Sequence, residues 1–266
     1  MIISIITVNL NNLTGLCKTM ASVLSQDLRF CEWIVIDGGS DDGSVQLIEE
    51  NAHSISYWVS EPDRGIYHAM NKGVDAAHGD YLIFMNSGDS FTASTIIAEF
   101  VAMQTDVDVV YGNAIFVDDK GHEVKRRITP DTLQLSYFWC HWLNHQSMFF
   151  HRRCFTHFRY DDQLQVEGDL SLTLNLLMNG YAFEKWDRFV TFYLTGGISS
   201  KYPDLASERQ SVLNKILPPV VKADFDELGY LYEIDLFRIV HRIIHSSRWV
   251  RQLARIALLP FHFITK

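Results

Sequence analysis

Short polar turns that carry a carboxylate follow several apolar stretches of this chain. Tyr81–Met85 is a short apolar run of the kind that forms a buried parallel strand, and it ends abruptly in the polar stretch Asn86–Asp89. A carboxylate in a small turn at the carboxyl end of a central strand is suited to ligand chemistry in an open α/β sheet. Asn, Ser, Gly and Asp also form ordinary turns, so this stretch alone leaves both interpretations open.

A second polar stretch, Asp37–Ser44, follows the apolar run Trp33–Ile36 and combines aspartates with glycines. Glycine lets backbone N–H groups approach a ligand closely, and a carboxylate accepts the hydrogen of a hydroxyl or an imide. The stretch is neither the dinucleotide fingerprint GxGxxG nor a GK[ST] phosphate loop. It therefore favours binding of a polar ligand by side chains and backbone at the end of a strand.

Alternating strands and helices must position these turns. Apolar, β-branched runs alternate with stretches whose apolar residues recur at helical spacing. The predicted strands are Ile2–Val8, Trp33–Ile36, Ile55–Ser60 and Tyr81–Met85. The predicted helices are Leu13–Leu24, Val45–Ala52 with Ser44 as its N-cap, and Ile66–Ala77. This βαβαβαβ order indicates an α/β fold with a Rossmann-like, mostly parallel central sheet and right-handed crossovers.

The pattern loosens after Asp89 into shorter elements. Helices are predicted at Thr95–Met103 and Leu170–Met178, and the chain is helical in pattern from about Leu205. Strands are predicted at Val107–Tyr111, Ala114–Val117, Glu123–Arg127, Ser147–Phe150 and Phe189–Leu194, with a hairpin turn at Asp118–Gly121.

Composition excludes several classes of protein. The chain has 266 residues, 47% hydrophobic and 21% charged, which are globular values, and its net charge of −9 argues against a nucleic-acid binder. Four cysteines without a CxxC pair form no disulfide framework. We expect a cytoplasmic protein, because the sequence has no signal-peptide pattern and no apolar run long enough to span a bilayer. Past Asp235, however, the chain has arginines among apolar residues and no acid, which favours an anionic membrane surface over a packing or dimer contact.

The order of the motifs resembles inverting family 2 glycosyltransferases of the GT-A fold, in particular bacterial enzymes that build O-antigen, colanic acid and other exopolysaccharide repeat units. The matching stretches are Ser4–Asn9, Ile36–Ser44, Ser60–Tyr67, Ala69–Gly73, Asn86–Asp89, His145–Gln146, Glu167–Asp169 and Gly196–Ser199. The resemblance implies a GT-A domain over residues 1–200, with a nucleotide-sugar half at 1–110 and an acceptor half at 111–200. A helical, basic extension follows at 201–266.

The resemblance also implies residue roles on the donor side, where a UDP-sugar is expected. It places Thr7 and Asn9 by the nucleoside, Asp37 on the base, Asp63 and Arg64 near base and ribose, Gly39 in the nucleotide-sugar site, and Asn86, Ser87 and Asp89 at the diphosphate. The metal motif of the family falls on Asn86–Asp89, where Asp89 is the one charged ligand for Mg²⁺ or Mn²⁺.

On the acceptor side, the resemblance implies Asp169 as the general base, with Glu167 as the alternative for that role. Asp169 could instead only cap its helix and stabilise the positive N-terminal end of the helix dipole. His145 and Gln146 are expected to contact acceptor or diphosphate. Trp139 and Trp142 could stack on a sugar ring or belong to the core. Nearby His and Cys residues lack the spacing of a zinc site.

Together these expectations predict an inverting glycosyltransferase. It would move a sugar from a UDP-sugar to a lipid-linked glycan at the inner face of the cytoplasmic membrane. A sugar nucleotidyltransferase is a weaker alternative, since Asn9–Asn12 lacks a glycine-rich basic loop. A non-catalytic scaffold that binds nucleotide sugars is the other alternative, supported by the reduced metal motif. The donor sugar, the acceptor sugar and the oligomeric state stay open.

Overall fold

A computed structural model describes residues 1–197 and 202–233 of the chain. The strands are β1 Ile3–Asn9, β2 Cys31–Asp37, β3 Tyr57–Ser60, β4 Tyr81–Phe84, β5 Ser90–Phe91, β6 Val109–Val117, β7 Glu123–Arg127, β8 Met148–His151 and β9 Phe183–Leu194. The helices are α1 Leu13–Leu24, α2 Ser44–Glu50, α3 Ile66–Ala76, α4 Ile96–Ala102, α5 Tyr137–Cys140, α6 Gly168–Met178, α7 Leu205–Ile216 and α8 Pro219–Glu233.

The first half of the sheet is parallel, as the βαβ pattern predicts. β1 pairs in parallel with β2 and β4, and β2 pairs in parallel with β3. Every residue of β1 and β4 is buried, as expected for strands covered on both faces. Gly73 lets α3 pack closely on β1, because a Cβ there would lie 2.4 Å from Cγ2 of Ile6.

The second half of the sheet is mixed. The strand order is β3-β2-β1-β4-β8-β6-β9-β5, with β7 also paired to β6. β8 runs antiparallel to β4 and β6, whereas β6 and β9 are parallel to each other. β8 therefore joins the nucleotide-sugar half of the predicted domain to the rest of the sheet.

Several predicted boundaries were wrong. Val107–Tyr111 and Ala114–Val117 are one strand, β6, which passes through Gly112 with shifts in its register to β9. β9 begins at Phe183 because the sheet partner β6 extends its pairing beyond the apolar run. Ser44 is the first residue of α2, and its N-cap is Gly43, whose φ of 98° suits glycine.

The core lies on both faces of the central strands. One cluster combines β1, β2 and β4 with α1 and α4, and its large members include Trp33, Tyr81, Phe100 and Phe149. Phe100 and Phe149 stack with ring centroids 3.8 Å apart. These contacts fix the strands whose carboxyl ends carry the polar turns.

The chain divides into two compact units. The larger comprises residues 1–133 and 142–216, and the smaller contains residues 134–141 and, among those described, 217–233. Within the smaller unit, the ring of Trp139 lies against Phe225 and so close to Gly229 that a Cβ there would meet the indole at 2.1 Å. Trp139 is thus a packing residue. In the described part of the chain, no helix is both long and apolar enough to cross a membrane.

Candidate active site

Asp37 holds together the loops that follow the first three strands. It ends β2, is fully buried, and accepts hydrogen bonds from Asn9 Nδ2 at 2.8 Å, Ser40 Oγ at 2.6 Å and Ser60 Oγ at 2.6 Å. The backbone N–H groups of Gly39 and Ser40 also donate to it. Burial alone would raise the pKa of Asp37, but these hydrogen bonds outweigh burial and lower it. Asp37 is therefore an ionised organiser of the predicted nucleoside site.

Asp63 lies beside the same loop. Its carboxylate pairs with Lys72 Nζ at 2.5 Å and with His68 Nδ1 at 3.2 Å, and it lies close to the backbone of Gly38. Lys72 also pairs with Glu61 at 2.8 Å. The structure thus brings Asn9, Asp37, Gly39 and Asp63 together at the carboxyl ends of β1, β2 and β3.

Thr7 and Arg64 have partners outside the network around Asp37, and their predicted roles at the nucleoside stay predictions. Thr7 is fully buried and accepts a hydrogen bond from the indole N–H of Trp33 at 3.0 Å, so it supports the core of the sheet. Arg64 is exposed and pairs with Asp162 at 2.7 Å. Neither side chain shares the hydrogen-bond network around Asp37.

The turn Asn86–Asp89 is held by residues of α1 that the sequence analysis missed. The side chain of Asn12 caps α1, because its oxygen accepts a hydrogen bond from the N–H of Gly15. Its amide nitrogen donates to the backbone carbonyl of Ser87 at 3.0 Å. Thr19 donates to the carbonyl of Asp89 at 2.7 Å and accepts from the N–H of Gly88 at 3.0 Å. The sequence did contain a signal for Thr19, since it is a polar residue on the face of α1 that was predicted to be buried.

Asp89 is held by protein donors on both of its carboxylate oxygens. Its two carboxylate oxygens accept hydrogen bonds from the N–H of Leu194 at 2.8 Å and from Nε2 of Gln146 at 3.0 Å. Burial raises the pKa of Asp89 to about 6, against the opposing effects of these donors and of His145. Within the described residues, no group of three His, Cys, Asp or Glu side chains could hold a metal ion. Because Mg²⁺ is usually held by one or two carboxylates together with substrate phosphates, the contact of Asp89 with a divalent cation stays a prediction.

His145 connects the turn after β4 to Asp169. Its Nε2 lies 3.2 Å from Nδ2 of Asn86, and its Nδ1 lies 2.5 Å from Oδ2 of Asp169. His145 is buried, which alone would lower its pKa, but the charge of Asp169 and their hydrogen bond outweigh burial and raise it. The predicted diphosphate-side residue Asn86 and the predicted base Asp169 are thus two hydrogen bonds apart.

Asp169 lies in the first turn of α6, at a position fixed by the preceding loop. Glu208 of α7 accepts hydrogen bonds from three successive backbone N–H groups, those of Gln165, Val166 and Glu167, at 2.6, 2.8 and 2.9 Å. The hydroxyl of Tyr67 donates to the carbonyl of Val166. The loop that presents Asp169 is thus held by both α3 and α7.

Glu167 is committed to an ion pair. It is buried, and Arg209 of α7 approaches it with Nε 3.2 Å from Oε1. Burial raises the pKa of Glu167 despite the opposing charge of Arg209, and the negative charge of Asp169 adds to the increase. Because Glu167 is paired with Arg209, whereas the side chain of Asp169 is 21% exposed beside His145, the geometry favours Asp169 as a proton acceptor.

Trp142 lies close to two arginines, Arg127 and Arg209, and Arg209 belongs to this ion pair. The guanidinium of Arg127 lies 4.1 Å from a ring centroid of Trp142, and that of Arg209 lies at 5.9 Å. Trp142 is 39% exposed, unlike the packed Trp139. Sequence reasoning missed Arg209, because a lone arginine in a helical pattern carries no signal of its partner. Of the Gly196–Ser199 motif, Ile198 and Ser199 lie outside the described residues.

Comparison with known families matches residues 4–164 to "Glycosyl transferase family 2". The chain belongs to glycosyl transferase family 2. The match covers the strands and turns around Asp37 and Asn86, together with His145. The predicted family and class of enzyme, a glycosyltransferase, are therefore confirmed at the level of the family.

Curated relatives match over part of their length. An uncharacterised glycosyltransferase of Mycobacterium tuberculosis is 44% identical over 100 residues, which are 37% of this chain and 38% of that protein. A Mycobacterium bovis protein named as a PGL/p-HBAD biosynthesis glycosyltransferase is 33% identical over 118 residues, 42% of this chain and 46% of that protein. The chain thus spans less than half of the length of these relatives.

Solved structures share the fold. S. aureus TarS 1–349, solved in complex with UDP-GlcNAc, superposes with a TM-score of 0.69 at 15% identity, over 94% of this chain and 78% of that one. A mannosyltransferase from Pyrobaculum calidifontis, solved in complex with GDP-Man and Mn²⁺, has a TM-score of 0.62 at 14% identity, over 97% of this chain and 79% of that one. The predicted GT-A fold is confirmed.

Proposed function

We propose that this protein transfers a sugar from a UDP-sugar to a hydroxyl of a glycan acceptor, with inversion at the anomeric carbon. One observation carries the proposal. Asp169, a partly exposed carboxylate at the start of α6, lies two hydrogen bonds from the turn after β4, where open α/β sheets bind their ligands. A proton acceptor next to the donor crevice is what an inverting transfer needs.

The donor occupies the crevice at the ends of β1, β2 and β3. Asp37 orders this crevice, and Asn9 offers its buried Oδ1, which has no hydrogen-bond partner among the described residues, to the imide N–H of uracil. Asp63 lies close enough to serve the ribose. The complex of the TarS structure with UDP-GlcNAc supports a uridine nucleotide as the first donor to test.

The transfer is a single displacement. The acceptor hydroxyl attacks the anomeric carbon from the face opposite UDP and gives its proton to Asp169 as the new C–O bond forms. The bond from that carbon to the phosphate oxygen breaks, and its electron pair leaves with UDP.

The acceptor is a lipid-linked glycan of bacterial surface polysaccharide synthesis. Trp142 offers an exposed ring edge or face beside Glu167 and Arg209 for a sugar. The relative named for PGL/p-HBAD biosynthesis supports an acceptor in glycolipid assembly. The basic stretch after Asp235, which lies outside the described residues, supports a location at the inner face of the cytoplasmic membrane as part of this proposal.

The test compares Asp169→Asn with wild type in two assays, UDP-sugar binding by calorimetry and UDP release with lipid-linked acceptors. We expect release to fall at least about 100-fold, the lower range for loss of a general base, while binding changes little. Asp131→Asn is the matched control, because Asp131 is exposed and pairs with Lys185 at 2.7 Å. Equal losses in binding and release would move Asp169 to the donor site.

The same assays separate the alternatives. A scaffold would bind UDP-sugars without turnover in the wild-type protein as well. A sugar nucleotidyltransferase would release diphosphate from a nucleoside triphosphate and a sugar phosphate, and it would not release UDP.

A further inference from the structure

The three side chains that join the donor turn to the proposed base form a continuous chain, Asn86–His145–Asp169. His145 comes from the segment before β8, Asn86 from the turn after β4, and Asp169 from α6. The imidazole is buried, and both of its nitrogens face protein partners, at 3.2 Å and 2.5 Å. His145 therefore has no ring nitrogen left over for the acceptor or diphosphate contact that the resemblance implied.

The two oxygens of Asp169 have different surroundings. Oδ1 is buried and without a partner among the described residues, whereas the side chain as a whole is 21% exposed. Because Oδ1 is closed to solvent, we assign the contact with the acceptor to Oδ2, the oxygen that His145 contacts. The imidazole touches the same atom that would take the proton.

We propose that His145 is the positioning residue of the base: its Nδ1–H bond to Oδ2 orients the Asp169 carboxylate so that the remaining lone pair of Oδ2 points at the acceptor hydroxyl. The inference rests on the function proposed above. Asn86 fixes the orientation of the imidazole, because its amide N–H donates to Nε2 of the neutral ring. After rotation of the amide, its carbonyl oxygen would accept from Nε2–H of the charged ring.

Packing holds the imidazole in this orientation. The ring of Phe84 meets His145 edge-on with centroids 6.2 Å apart, and Gln146, the next residue, is held by Asp89. A carboxylate on a helix terminus without such a partner would have several rotamers to choose from, and a misplaced base loses catalytic rate. The raised pKa of His145, caused by Asp169 against the effect of burial, is consistent with a ring that keeps its Nδ1 proton.

Three substitutions at one position test the contact. His145→Asn keeps an N–H donor near the place of Nδ1, His145→Gln places its amide nearer to that of Nε2, and His145→Ala removes both. We expect His145→Asn to retain kcat within about tenfold of wild type, and the other two to lose at least about 100-fold in kcat. KM for the UDP-sugar and its calorimetric Kd should stay within about threefold of wild type in all three.

Two results would overturn the inference. One is a kcat for His145→Asn as low as that for His145→Ala, which would mean that the Nδ1 donor does not matter. The other is a parallel loss of UDP-sugar affinity, which would make His145 a donor contact. Nitrogen NMR of the wild-type imidazole adds a readout that needs no turnover: Nδ1 must carry a proton in the free enzyme, and a bare Nδ1 contradicts the proposal.

Asp169→Asn, measured alongside, separates this inference from the proposed function. Full activity of Asp169→Asn would reject the base itself. Loss of activity in Asp169→Asn together with full activity of His145→Ala would reject only the positioning role.

Discussion

The ring of Tyr67 lies directly against the backbone of Gly168, one residue before the proposed base. A Cβ on Gly168 would fall 2.5 Å from the ring, which no packed structure tolerates without a shift. Two motifs a hundred residues apart in the sequence, the start of α3 and the start of α6, are thus in contact through a position that accepts only glycine. Tyr67 also stacks on Tyr160 with centroids 5.5 Å apart, so its ring cannot move easily.

Gly168→Ala should therefore damage both stability and turnover. Overpacking of this kind costs about 1–3 kcal/mol, which denaturant unfolding would measure, and displacement of α6 should lower kcat because Asp169 moves with it. The control is the double variant Tyr67→Leu with Gly168→Ala, in which the ring is gone and the cost of the alanine should shrink. An unchanged cost in the Tyr67→Leu background would show that the ring is not the obstacle.

Asp37→Ala should weaken the donor site by removing its organiser. Three side-chain donors lose their acceptor, and we expect about 1–3 kcal/mol less binding free energy for UDP, the cost of unpaired buried groups. Calorimetry with UDP measures the loss. Asp41→Ala is the control, because Asp41 is an exposed residue of the same loop. Unchanged UDP affinity in Asp37→Ala would remove this carboxylate from the donor site.

Asp89 should make the protein less stable as pH rises from about 4 to 6. The folded state keeps the Asp89 proton up to its raised pKa of about 6, whereas the unfolded chain releases it near the ordinary value of 3.8. The folded state therefore binds more protons in this window, and the free energy of unfolding falls with increasing pH, by up to about 3 kcal/mol.

Asp89→Asn tests this linkage, since Gln146 can turn its amide to offer an oxygen to the new side chain. Denaturant unfolding at pH 4.5, 5.5 and 7 should show the variant gaining stability relative to wild type at each step. A constant difference for Asp89→Asn would mean that the carboxylate is ionised throughout this pH range.

The basic C-terminal stretch should bind anionic vesicles. Each arginine near such a surface contributes about 1 kcal/mol, and the attraction fades with salt. A chain ending at Glu233 should lose co-sedimentation at low salt, keep its affinity for UDP, and transfer less sugar to lipid-linked acceptors. Neutral vesicles are the control. If the full-length chain fails to co-sediment with anionic vesicles, the stretch has a packing or dimer role instead.

Local patterns were enough to predict the parallel half of the sheet and its polar turns. Helix α1 was predicted with its observed bounds, and so was strand β7. Neighbouring residues determine these features: whether one face of a helix is buried, whether both faces of a strand are buried, and where turn residues follow a strand. The order of the motifs then pointed to the family, and Asp37, Asn86 and Asp169 lie where polar turns and a helix start were predicted.

Tertiary structure alone decided which partner each polar side chain has. Asp89 was predicted to bind a metal, yet it is held by an N–H group 105 residues later in the chain, and Glu167, the alternative base, is paired with Arg209 of α7. His145 meets Asp169 because β8 inserts between β4 and β6. Periodicity records which face of an element is buried. It does not record which distant residue lies opposite, because that depends on strand order and on the packing of helices against the sheet.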